Sequence, residues 1–322
     1  MPASVAMPPR RAIPRSDTQA LIPWITFSVV VSVALVLDLF VFRRNPREMS
    51  VGRSLVWLVG WVALAGLFNL AVWHWFGPAR ALEFVTAYVV EEAMSVDNMF
   101  VFYVIFTYFA VSKSHQHRVL FWGILGALIL RGVFVGVGTA MLARFEWLIY
   151  LFGAFLVYTG IRLFFHDGES IEPEKNPVLK LFRRFVPMSG SFVGHRFTVR
   201  EHGRLLATPL LLVLVVVEAT DVAFATDSIP AVFAISRYPF IIYSSNVFAV
   251  LGLRSLYFVM AGVIGGFRYL NAGLAIVLAF IGVKMLIGEH YSISTGVSLG
   301  VIGGVIAVSI AASILESRGK KE

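Results

Sequence analysis

Cysteine is absent from the 322-residue chain. Disulfides, thiolate metal sites and thiol chemistry are therefore excluded, and any metal would have to be held by oxygen or imidazole. Charge is scarce as well, at 14% of residues, where a soluble domain carries about 25%. No GxxxxGK-Ser/Thr loop occurs, so nucleotide hydrolysis has no basis in the sequence. No Ser/His/Asp arrangement stands out either; the chain is not expected to be an enzyme or to need a bound cofactor. The net charge of +8 could point to nucleic acid. The Lys and Arg fall mostly in loops between apolar runs, however, which is how a chain is oriented in a bilayer, so nucleic acid is not an expected partner.

What is present is apolar: 58% of residues are hydrophobic and the mean hydropathy is +0.81. Runs long enough to cross about 30 Å of hydrocarbon lie near 21–42, 54–76, 84–110, 119–142, 145–166, 206–234, 242–264, 270–288 and 293–315. Arg10, Arg11 and Arg15 before the first run resemble a signal peptide, but that run is too long for one and lacks a small-residue cleavage site, so it reads as a span. Loops on one side (43–53, 111–118, 167–205, 265–269 and the tail from Glu316) hold most of the Lys and Arg outside the runs. This predicts an N-terminus outside and a C-terminus in the cytoplasm, against the pull of the three N-terminal arginines. Within the one long loop, NPVLKLFRRFVP has the spacing of a short helix lying on an anionic leaflet. Gly132 and Gly136, Gly262 and Gly266, and Gly300 and Gly304 have GxxxG spacing, which permits close helix approach.

One apolar run departs from the rest. VLVVVEATDVAFATDSIPAVFAI, residues 213–235, places Glu218, Asp221 and Asp227 inside a span, where each carboxylate costs roughly 2.5–3.5 kcal/mol by insertion scales. It also has a counterpart. SVDNMFVF at 95–102 aligns with ATDSIPAVF at 225–233, and an acid stands six positions before the aligned aspartate in both: Glu91 before Asp97 and Asp221 before Asp227. LRG at 130–132 then matches LRS at 253–255, and YTGIRLF at 158–164 matches FIGVKML at 280–286. Three spans per half is an odd number, so two such halves insert with opposite orientation, the plan of transporters whose sites lie near the midplane. The expected layout is a tail (1–20), two flanking helices (21–80), a first three-helix repeat (81–166), a cytoplasmic loop (167–205), an inverted second repeat (206–290) and a last helix with its tail (291–322).

On ideal helices Glu91 and Asn98 share a face, as do Asp221 and Ser228, while Asp97 and Asp227 point about 120° away from their partner acids. Pro230 frees the Thr226 carbonyl, and in an interrupted helix such a carbonyl can ligate a cation. Glu91, Asp97, Asn98, Glu218, Asp221, Asp227 and Ser228 form an all-oxygen ligand set suited to Mn²⁺, Ca²⁺ or Mg²⁺. The same carboxylates can take up protons when the ion leaves. The structural alternative is an internal ion-pair network, for which Arg131, Arg162, Arg254 and Lys284 are available; Arg131, Arg254 and Lys284 are read as ion-pair supports. Glu92 faces away from Glu91 and is expected to pair with a basic residue. His115 and His117, an H-x-H in a short inner loop, read as a solvated pair before a metal site.

EEAMSVDNMFVF at 91–102, EHGRLLATPLLLVLVVVE at 201–218, VEATDVAFATDSIPAVFAI at 217–235 and LGLRSLYF at 251–258 resemble the TerC family of integral membrane proteins. The resemblance implies Mn²⁺ efflux across a bacterial inner membrane, and places the family's acidic positions on Glu91, Asp97, Glu218, Asp221 and Asp227. No ligand role is carried onto Glu92. Direct tellurite transport, which the family's name suggests, fits poorly, because an anion is repelled by uncompensated carboxylates. The expectation is proton-coupled export of Mn²⁺ or a related divalent cation. The alternative is a non-transporting membrane partner in metal or membrane stress that acts through the 167–205 loop.

Overall fold

The computed structural model describes residues 17–44, 51–145, 147–165, 182, 184–201, 203–263, 269–288, 291 and 293–319. Within these, the side chains at 17–20, 40–44, 97, 100, 263, 270, 271 and 317–319 lie outside the description. Among the described residues there are nine long helices: α1 (Asp17–Arg44), α2 (Val51–Phe76), α3 (Pro78–Tyr108), α4 (Lys113–Arg144), α5 (Leu148–Phe165), α6 (Pro209–Ile235), α7 (Pro239–Val263), α8 (Leu270–Ile287) and α9 (Thr295–Gly319). A two-stranded hairpin, β1 (Thr198–Glu201) and β2 (Arg204–Ala207), precedes α6. The chain divides into a unit of residues 1–43, which contains most of α1, and a unit of residues 44–322. The second unit is the one described below.

Among the described residues seven helices are long and apolar enough to cross a membrane: α1, α2, α4, α5, α6, α7 and α9. The chain is a multi-pass, mainly α-helical membrane protein. Two expected spans, α3 and α8, fall outside that set. α3 is long enough but carries Arg80, Glu83, Glu91, Glu92 and Asp97; the apolar part of α8, Ala272–Ile287, is short. Proline opens α3, α6 and α7, at a position where its missing N–H costs nothing. Gly77, at φ +86°, turns the chain from α2 into α3 in one residue, a conformation that glycine adopts without strain.

Helix α7 is the axis of the second unit. Its apolar stretch is 83% buried, against 22% for α2, α5 and α9, whose outer faces are exposed. α7 packs on α2, α3 and α4; α4 and α3 also pack on α6, and α5 packs on α8. Aromatic rings join the centre, with the Phe68 ring of α2 tilted against that of Phe248 of α7 at 4.6 Å between centroids and Phe84 of α3 beside both.

The α5–α8 crossing is set by glycines. A Cβ at Gly160 would lie 2.7 Å from the Ala275 carbonyl oxygen, and one at Gly282 would lie 2.6 Å from the Gly153 carbonyl oxygen. These are the glycines of YTGIRLF and FIGVKML, so the matched motifs perform the same packing task from opposite sides. The GxxxG pairs act through one member at most. A Cβ at Gly262 would collide with Val51 Cγ2 of α2 and one at Gly132 would lie 3.4 Å from the Tyr243 ring, whereas Gly136, Gly300 and Gly304 face no atom within 4 Å and Gly266 lies outside the described residues.

Two local expectations change. α6 runs unbroken through Pro230, so the proline frees one carbonyl without interrupting the helix. The 167–205 segment is not only loop, because β1 and β2 pair in register Thr198↔Ala207 to Glu201↔Arg204 around Gly203, whose φ is +78°. The Thr208 hydroxyl donates to the Arg196 carbonyl (2.7 Å) and ties the hairpin to the start of α6. The proposed surface helix, NPVLKLFRRFVP, lies largely outside the described residues.

Candidate functional site

Four helices meet at one buried guanidinium. Arg131 of α4 is 1% exposed, and its Nη1 donates both to Glu91 Oε1 of α3 and to Asn246 Oδ1 of α7. Asn246 Nδ2 in turn donates to Glu91 Oε2 (3.0 Å), closing a three-residue ring. Asp221 of α6 approaches from the other side, its Oδ1 3.8 Å from Arg131 Nη2. That separation is an ion pair without a hydrogen bond. Arg131 Nε and Nη2 make no hydrogen bond with any described residue. The guanidinium is thus gripped by Glu91 and Asn246 and only loosely held by Asp221.

Beside Asp221 lies a small cavity, about the size of a single water. Glu218 and Asp221, one turn apart on α6, supply its acids; Phe102, Ile124, Ala127 and Leu253 are among the apolar residues that line it. Glu218 Oε2 is buried and has no hydrogen-bond partner among the described residues. Its carboxyl fits there because α4 presents Gly126. A Cβ at that position would sit 2.5 Å or less from each carboxyl oxygen.

The other sequence-selected residues are distributed as follows. Asn98, two turns from Glu91, and Ser228, two turns from Asp221, are both buried, as their spacing requires. The Ser228 hydroxyl has no partner among the described residues, nor does that of Ser95, one turn from Glu91. Asp227 is not part of the Arg131 cluster; it accepts a 3.5 Å hydrogen bond from Thr159 of α5 and senses Arg162. The side chain of Asp97 lies outside the described residues. Arg254 is buried on α7, near enough to His117 to interact electrostatically, and Lys284 donates to Ser298 Oγ of α9 (2.8 Å). Glu92 accepts from the Tyr88 hydroxyl (2.8 Å) and abuts Gly252, so its partner is a phenol one turn away where a base was expected. His115 bonds Ser112 and the Gly194 carbonyl, whereas the His117 ring lies against Phe258. The two rings of the H-x-H do not face one site.

Among the described residues no three acidic or imidazole side chains gather closely enough to hold a metal. The carboxylates that do converge, Glu91 and Asp221, converge on a guanidinium. At the start of α3 a second polar cluster joins helices: Glu83 accepts from Arg80 and from Ser236 Oγ (2.6 Å), while Arg80 lies over the Tyr238 ring. Sequence reasoning missed Asn246, Ser95 and Gly126. Asn246 had a signal, since SSN at 244–246 interrupts an apolar run; Gly126 had none, because its role depends on a side chain of another helix.

Comparison with known proteins bears on this arrangement. The integral membrane protein TerC family matches residues 76–321. A membrane protein of Myxococcus xanthus, described as uncharacterised, is 48% identical over 295 residues, covering 92% of each chain. A protein of Escherichia coli (strain K12) named "Putative membrane-bound redox modulator Alx" is 43% identical over 286 residues, 86% of this chain and 89% of that one. An uncharacterised membrane protein of Rickettsia felis is 37% identical over 292 residues, 91% of this chain and 97% of that one. No solved structure matches.

Proposed function

The chain belongs to the TerC family of integral membrane proteins, and from that premise we propose that it exports a divalent cation, Mn²⁺ in the first instance, across the bacterial inner membrane in exchange for protons. The observation that carries this reading is the charge count at the buried site. Glu91, Asp221 and Glu218 with Arg131 leave two negative charges over, and one doubly charged cation or two protons would balance them. Buried charge left unbalanced is too costly to persist, so loading the site with one ion and discharging it with two protons is the cycle that keeps it neutral. All the available donors are oxygens, which favours Mn²⁺, Ca²⁺ and Mg²⁺ over softer metals.

Asp221 and Glu218 meet the cation first, because they line the cavity. Asn98, Ser228, Asp97 and Asp227 are the further oxygens along α3 and α6 that a moving ion would use. An inverted repeat supports two-sided access, and the helix pairing agrees with it: α3 lies on α7 as α4 lies on α6, and α5 meets α8 through equivalent glycines. The N-terminus is periplasmic and the C-terminus cytoplasmic in this reading. A redox role, as in the name of the E. coli relative, would have to work without thiols, because the chain has no cysteine.

Inside-out membrane vesicles loaded with a pH dye test the proposal. Adding Mn²⁺ outside is expected to release protons from the lumen and to draw in the metal. Asp221→Asn is expected to lower the initial rate about a hundredfold, the scale of losing one charged contact of about 3 kcal/mol. Equal rates in wild type and Asp221→Asn vesicles would refute the assignment.

A further inference from the structure

We infer that Arg131 is a tethered competitor for the transported cation: it pairs loosely with Asp221 when the site is empty and yields Asp221 when the cation arrives. The inference rests on the transport reading above and gives that site a resident competitor.

The geometry is asymmetric in the way such a role needs. An arginine acting only as a structural bolt would spread its five donors over fixed acceptors. Here every hydrogen bond leaves from Nη1, toward Glu91 and Asn246. Nε and Nη2 are buried without a hydrogen-bond partner among the described residues, and Nη2 reaches Asp221 only at 3.8 Å. The loosely held carboxylate is also the one that lines the cavity with Glu218. A divalent ion in that cavity meets two carboxylates at i, i+3 on α6 and binds Asp221 at the distance of direct coordination, which a guanidinium at 3.8 Å does not match. Charge stays balanced in both states. Glu91 with Arg131 is neutral by itself, and Asp221 with Glu218 is neutralised by the ion or by protons. Arg131 therefore lowers affinity for the cation, which allows release when protons arrive.

The test uses purified full-length protein in lipid nanodiscs, with Mn²⁺ binding followed by electron paramagnetic resonance and folding by thermal melting. Glu91→Gln alone leaves Asp221 as the only carboxylate for Arg131, so Mn²⁺ should bind more weakly than to wild type. Adding Arg131→Met to Glu91→Gln removes the competitor and should reverse the sign, giving binding about tenfold tighter than wild type and a larger rise in melting temperature on adding Mn²⁺. Export by the double variant should slow, because protons must displace the more tightly held ion without help from Arg131. Weaker or unchanged binding in a folded double variant overturns the inference and marks Arg131 as a structural bolt. If the double variant does not fold, Arg131→Lys decides: an ammonium is a point charge that cannot span Glu91 and Asp221 as the planar fork does, so tighter Mn²⁺ binding than wild type is expected, and equal or weaker binding overturns the role. If wild type exports Mn²⁺ while the variants do not bind it as expected, only the role of Arg131 falls; if wild type neither binds nor moves Mn²⁺, Ca²⁺ or Mg²⁺, the transport reading falls with it.

Discussion

A single hydrogen atom at position 126 decides where the Glu218 carboxyl can sit. Gly126→Ala adds a methyl group where the carboxyl now lies, so Glu218 must leave the cavity. Export is expected to fall about tenfold or more in Gly126→Ala. Shortening the acid makes room again, so Gly126→Ala/Glu218→Asp should recover part of that loss, as measured by Mn²⁺ uptake into vesicles. A double variant no better than Gly126→Ala would contradict the steric account. At this scale the acids were legible, because a carboxylate in an apolar run is conspicuous and Glu91 is separated from Glu92 by helical geometry alone. Asn246 and Gly126 were not, because an asparagine or glycine in a helix is ordinary until its neighbour on another helix is known. The pairing of Glu92 was misjudged for a similar reason: Tyr88, one turn earlier on the same helix, supplies a donor without any base.

Among the elements, α5 and α8 make the closest approach, and their glycines are where substitution should cost most. Gly160→Ala and Gly282→Ala each force a methyl group against the opposite backbone at 2.6–2.8 Å, an overpacking that costs about 1–3 kcal/mol. A lowered melting temperature in detergent is expected for both, while Gly300→Ala, which faces no atom within 4 Å, should leave it unchanged. Equal melting of all three variants would contradict the crossing. All nine apolar runs placed from the sequence fall on helices, but hydrophobicity and length mark seven of those described as spans; α3 is too rich in charge and the apolar part of α8 too short. The hairpin could not be placed, since TVRE and RLLA are short and polar enough to pass for loop; nor could the continuity of α6, because a proline predicts a lost hydrogen bond and leaves open whether the helix breaks.

For the whole molecule, the absence of cysteine makes topology measurable without background. Gly203→Cys, in the hairpin turn, is expected to react with an impermeant maleimide only from the cytoplasmic face. Gly77→Cys, between α2 and α3, should react only from the periplasmic face. Labelling of both from one side would contradict the orientation taken from loop charge. Such an orientation places the hairpin and the start of α4 on the cytoplasmic side, and the Glu83, Arg80 and Ser236 cluster on the other, with the Arg131 site between them. The family was recognisable from paired acidic motifs and Arg131 from its place in a span as an ion-pair support, while the sharing of that one guanidinium by Glu91 and Asp221 became visible only when four helices were brought together.

The central claim is that this chain by itself moves a divalent cation through the carboxylates around Arg131. Purified protein reconstituted into liposomes that contain nothing else tests it most directly, with Mn²⁺ inside reported by a metal-quenched dye under an imposed proton gradient. The account predicts saturable, gradient-driven Mn²⁺ accumulation by wild type and none above empty liposomes for Asp221→Asn. Accumulation that is the same in wild type, Asp221→Asn and empty liposomes would contradict it.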